Sequence, residues 1–95
     1  SPGMLKRHYS PGIPIKLNQK QASKNEAFIV FGKKYKKSKN TFNLSAKSNL
    51  TEAAKNLYKT LRVIKNKNYK MIHVSPIPKT GLGLAINDRL KRAAK

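Results

Sequence analysis

From Ala27 to Phe31 the chain runs Ala-Phe-Ile-Val-Phe without a polar break and stops at Gly32. A strand with one wet face alternates apolar and polar residues. A continuous β-branched and aromatic run instead suits a strand covered on both faces, the usual condition of parallel sheets flanked by other layers. The remaining segments are therefore read as the layers and partners of this strand, taken as 26–31.

Three shorter strands are expected around it. Ile13-Pro-Ile-Lys-Leu17 alternates as a half-buried strand does, and Pro14, which has no N–H to donate, puts it at an edge or a strand start. Thr41-Phe-Asn-Leu-Ser45 has period two, and Tyr69-Lys-Met-Ile-His-Val-Ser75 reads as a fourth strand stopped by Pro76 and Pro78. Lys33 to Asn40 between them is a basic loop. The clearest helix spans about 50–65. Asn49 is a good N-cap, and Glu52 follows at capping-box spacing. Leu50, Ala53, Ala54, Leu57, Tyr58, Leu61 and Ile64 line one face, while Lys55, Lys59, Arg62 and Lys65 face away. A last helix starts near Gly83, with Leu84, Ile86, Leu90 and Ala94 apolar.

The order β-β-β-α-β-α predicts an α/β sandwich with a mostly parallel sheet of about four strands and two main helices. The long connection through 50–65 is expected to bring strand 41–45 beside strand 70–75 by a right-handed crossover. Residues 1–12, with Pro2 and Pro11, read as an extended linker or arm. Residues 13–95 form one small domain. The sequence opens at Ser-Pro-Gly without an initiator Met, so a piece of a longer protein is expected.

The charge is extreme: 22 Lys and Arg against three acids, a formal net charge of +19. Such a field attracts polyanions, and nucleic acid is the sharp interpretation. The bland one is a lysine-rich background, since Lys outnumbers Arg 18 to 4 and a flexible point charge is less suited than Arg to bidentate phosphate recognition. Both stay open. With no cysteine, disulfides and thiolate metal sites are excluded; this suits a reducing compartment, and a cytoplasmic location is expected. No apolar run approaches ~18 residues, so no membrane span or membrane partner is expected.

The acids Glu26, Glu52 and Asp88 are too few for carboxylate-pair catalysis or an oxygen-ligand metal cage. His8 and His73 stand alone in different segments, which argues against a metal site and against a Ser-His-Asp arrangement. Gly81-Leu-Gly83 lies between a strand and a helix, where backbone N–H groups can cradle phosphate. It lacks the GxGxxG and P-loop patterns, and a tight loop that lets the helix pack closely is the preferred reading. Arg7-His8-Tyr9 is different: a cation, an imidazole and a phenol on an extended arm suit a purine or a phosphate. Lys33, Lys34, Lys36 and Lys37, interleaved with Tyr35, are the candidate RNA-facing residues.

The two ends resemble a known family. Ser1, Pro2, Gly3, Met4, Arg7, His8, Tyr9 and Pro11 match the linker Ser-Pro-Gly-Met-Lys-Tyr-Arg-His-Tyr-Ala-Pro of the long two-domain threonylcarbamoyl-AMP synthases, with departures at Leu5, Lys6 and Ser10. Gly81, Leu82, Gly83, Ala85, Ile86, Arg89, Leu90 and Ala93 match the end of that family's C-terminal domain, and Asn49-Leu50 to Asn56-Leu57 resembles its helix. The resemblance implies a small Rossmann-like three-layer fold and an N-terminal YrdC-type catalytic domain as partner. It also implies the parent's reaction, in which threonine, bicarbonate and ATP give threonylcarbamoyl-adenylate for tRNA threonylcarbamoyladenosine modification. No cofactor is expected in this chain; ATP and Mg²⁺ belong to the parent. Arg7, His8 and Tyr9 are the positions implied to close the nucleotide pocket, and the domain alone is expected to be inactive. The alternative function is a basic RNA-binding module contacting the tRNA backbone.

Overall fold

The computed structural model describes residues 12–94. In chain order its elements are β1 (Ile15–Lys16), β2 (Ala27–Val30), β3 (Thr41–Asn43), α1 (Leu50–Lys65), β4 (Ile72–Val74) and α2 (Leu82–Ala93). The strands form one sheet in the order β1-β4-β2-β3, and every pairing is parallel. This is the α/β fold, with four parallel strands and two helices, that the element order predicts.

One expected pairing is corrected. Strand β3 pairs with β2 and not with β4; β4 instead inserts between β1 and β2, with Ile15 opposite Ile72 and Ile29 opposite Val74. Burial explains the placement. β2 is buried along its whole length and takes a central position, whereas Thr41, Phe42 and Asn43 are only half-buried and take an edge. The Pro14-bearing strand is the other edge, where a missing donor costs nothing. The strands are also shorter than their apolar patterns; Tyr69 to Met71 belong to the approach to β4 rather than to the ladder.

The order of the strands also decides which face each connection covers. The links β1→β2 and β2→β3 move across the sheet in one sense, and β3→β4 moves back. With one crossover hand, the forward links lie on one face and the returning helix on the other. Accordingly Ala27, Ile29, Ile72 and Val74 share a core with Ala53, Leu57, Leu61 and Ile64 of α1 and with Ile86, Leu90 and Ala93 of α2. Phe28 points to the opposite face, where Tyr35 from the 31–40 connection meets it edge-on at 5.8 Å. Both helices sit in a single layer and contact each other. On the other side of the sheet, the 31–40 connection supplies cover where larger α/β domains place a helix.

Candidate functional site

Local chemistry shapes the carboxyl end of the sheet. Asn49 Oδ1 accepts the N–H of Glu52 at 2.9 Å, the N-cap bond expected from their spacing. The reciprocal half of the box is relayed. Asn49 N–H donates to Ser45 Oγ at 3.0 Å, and that hydroxyl donates to Glu52 Oε1 at 2.5 Å. Ser45 is buried, and its role was not legible from spacing because it comes from the strand end rather than the helix. Asn43 Nδ2 donates to Gly32 O and Asn56 Nδ2 to Leu44 O, so the turns after β2 and β3 are tied to each other and to α1.

The glycine turn lies at the start of α2. Gly81 has φ +52°, a backbone that L side chains rarely adopt. Gly83 is buried, and a Cβ there would lie 1.8 Å from the Pro78 carbonyl oxygen, so two backbones meet at this point. Gly83 N–H donates to Thr80 O and Leu84 N–H to Gly81 O, which occupies two of the groups that a phosphate cradle would offer. Asn87 was missed in the sequence. Its Nδ2 reaches Gly83 O at 2.7 Å and Ile77 O at 3.1 Å, clamping the strand-to-helix turn. The Arg89 guanidinium lies 5.1 Å from the Tyr58 ring centroid and links α2 to α1. An open cleft of about 350 Å³ lies between the end of β1 and α2, with Leu17, Asn18, Lys79, Leu84 and Lys91 among its walls.

All three acids have partners. Asp88 pairs with Arg92 at 3.1 Å on the exposed side of α2, and Glu52 is the cap. Glu26 accepts the N–H of Ser23 at 2.8 Å and lies 2.9 Å from His73 Nε2. Its pKa is lowered, chiefly by the Ser23 backbone bond; desolvation opposes this, and the His73 charge adds to it. Among the described residues no three His, Cys, Asp or Glu side chains come together to hold a metal ion. No helix among them is long and apolar enough to cross a membrane.

The basic loop is exposed at Lys33, Lys34, Lys36 and Lys37. Tyr35 is half-buried against Phe28, and Lys34 Nζ stands 5.4 Å from its ring centroid, so the ring is already engaged. Arg7, His8 and Tyr9 lie outside the described residues. The structure therefore places Gly81 and Gly83 at the start of α2 and Arg89 in its second half, and it places Lys33 to Lys37 on the other side of the sheet.

A parallel sheet of four strands with one helical layer and a glycine-tight final turn defines a small α/β domain. The family model for the C-terminal domain of threonylcarbamoyl-AMP synthase matches residues 1–95, and the chain belongs to that family. This places it in tRNA threonylcarbamoyladenosine biosynthesis, with the YrdC-type proteins. No curated protein and no solved structure matches the chain.

Proposed function

We propose that this chain is the accessory domain of an ATP-dependent threonylcarbamoyl-AMP synthase, and that its segment 1–12 gates the nucleotide pocket of an N-terminal YrdC-type catalytic domain. The observation that carries the reading is the family match, which runs through Ser1 to Pro11 as well as through the folded domain. A family defined as a C-terminal domain implies a catalytic domain on its N-terminal side.

Physical chemistry gives such a lid its purpose. A carbamoyl-adenylate is a mixed anhydride that water attacks. A segment that closes over it excludes water and holds the reacting groups until transfer. Arg7 supplies a fixed positive charge for phosphate, and Tyr9 and His8 supply flat rings for the purine or donors for the intermediate. The domain's part is to anchor the segment. In this reading ATP and Mg²⁺ bind in the catalytic domain.

The test uses the full natural chain. Arg7→Ala and Tyr9→Ala are expected to lower threonylcarbamoyl-adenylate yield per ATP consumed by about tenfold, equivalent to about 1.4 kcal/mol. Yields equal to wild type in both variants would remove the gating role. Adenylate formation by residues 1–95 alone would overturn the assignment of chemistry to the catalytic domain.

A further inference from the structure

We infer that one rim and one loop of this domain form a continuous lysine surface that binds the phosphodiester backbone of nucleic acid without reading its sequence. The juxtaposition is tertiary. Asn40 Nδ2 donates to Ser23 O at 3.0 Å and to Glu26 O at 2.8 Å, Lys70 N–H donates to Asn25 O at 3.1 Å, and Tyr69 Oη donates to Lys39 O at 3.4 Å. These bonds gather the segments around 24, 39 and 70 at the amino end of the sheet. Lys67 joins them from the turn before β4. The exposed side chains of Lys24, Lys39, Lys67 and Lys70 thus stand at this rim, and the exposed run Lys33, Lys34, Lys36 and Lys37 leads onto it through Ser38 and Lys39.

One carboxylate, Glu26, lies within this rim, and it is bound to Ser23 and His73 rather than to a lysine. The three acids are held by Ser23 and His73, by Ser45 and by Arg92, and no lysine forms an ion pair among the described residues. Uncompensated like charges repel and destabilise a compact domain, so their concentration favours an external anion. The 31–40 connection must return along the length of β2, whose four residues span about 13 Å. That matches roughly four phosphates of one strand at ~3.4 Å axial spacing.

The chemistry favours backbone over base. Lysine is a point charge without the planar fork that reads guanine, and Arg62, Arg89 and Arg92 lie on the helices, in the layer across the sheet. Tyr35, the aromatic nearest the run, is committed to Phe28. A lipid surface fits less well, since anchoring there needs apolar side chains beside the cations. The exposed Tyr58, Val63, Leu82 and Leu84 are all helical.

This proposal stands independently of the gating role. Its test measures binding of a tRNA-sized RNA hairpin, a DNA duplex and anionic phosphatidylserine vesicles to the full natural chain, between about 50 and 200 mM salt. With about four phosphates neutralised, nucleic-acid affinity should fall on the order of 100-fold over that range. A Lys37→Gln, Lys39→Gln, Lys70→Gln variant should lose most of the salt dependence, whereas Lys55→Gln, Lys59→Gln on α1 should keep it. Thermal melts identify any unfolded variant, and single Lys39→Gln and Lys70→Gln changes then carry the comparison. Equal losses in the loop-and-rim and α1 variants would reduce the surface to net charge alone and overturn the proposal. So would no RNA or DNA binding at low salt, or vesicle binding that exceeds RNA binding and depends on the same lysines.

Discussion

Gly83 and Pro78 touch through their backbones: a Cβ on Gly83 would stand 1.8 Å from the Pro78 carbonyl oxygen. The first turn of α2 is thereby pressed onto the chain leaving β4. Two effects compete in Gly83→Ala. Alanine gains about 1 kcal/mol of helix propensity. The overlap is with backbone rather than a flexible side chain, so the turn must shift at a cost of about 3 kcal/mol or more. The clash wins, and urea denaturation should show a net loss of about 2 kcal/mol or more. Gly81→Ala meets open space and is strained only by its positive φ, about 1–3 kcal/mol.

Ser45 holds two groups together, the Asn49 N–H and the Glu52 carboxyl. Ser45→Ala should cost about 1–3 kcal/mol, because it leaves both without this partner. Asn49→Ala should cost about 1 kcal/mol as an ordinary cap loss. Ser45→Ala and Glu52→Gln should be non-additive in a double-mutant cycle. Additive losses would mean that the serine and the glutamate act separately.

Glu26 contributes an acid-sensitive part of the stability. Its folded pKa lies below the unfolded value, so the unfolded chain takes up protons first as pH falls. The stabilisation is fully present above the ordinary carboxylate pKa and is lost as pH falls through the lowered folded value. Melting temperatures taken across that window should drop less steeply in Glu26→Gln than in wild type. Parallel curves would show that the Ser23 and His73 contacts carry no linkage.

Helix α2 contrasts core and surface within one element. Leu90 is fully buried, and Leu90→Ala should cost about 2–5 kcal/mol. Leu84 is 58% exposed, and Leu84→Ser should change stability by less than about 0.5 kcal/mol. Loss of a cooperative transition in the Leu84 variant would mean that this residue packs more firmly than its exposure indicates.

Strand and helix identities were legible because they follow local patterns. The unbroken run at 27–31 marks the strand buried on both faces, Pro14 marks an edge, and Asn49 with Glu52 marks the start of α1. The partner of β4 was not legible. Parallel strands are joined through long connections, and neither turn length nor alternation says which neighbour a returning strand will choose. Ser45 and Asn87 were missed for a related reason. Each bonds backbone across a turn, a relation set by how elements dock rather than by spacing within one element.

The sequence by itself determined the class of the fold, the span of α1 and the start of α2, the excess of cations and the glycine positions where backbone must pass closely. These rest on composition and on periodicities of a few residues. Only the tertiary structure decided that β4 lies between β1 and β2, and that lysines from segments around 24, 39 and 70 meet at one end of the sheet. The physical reason is that burial selects the central strands, and the crossovers this forces bring together segments that are remote along the chain.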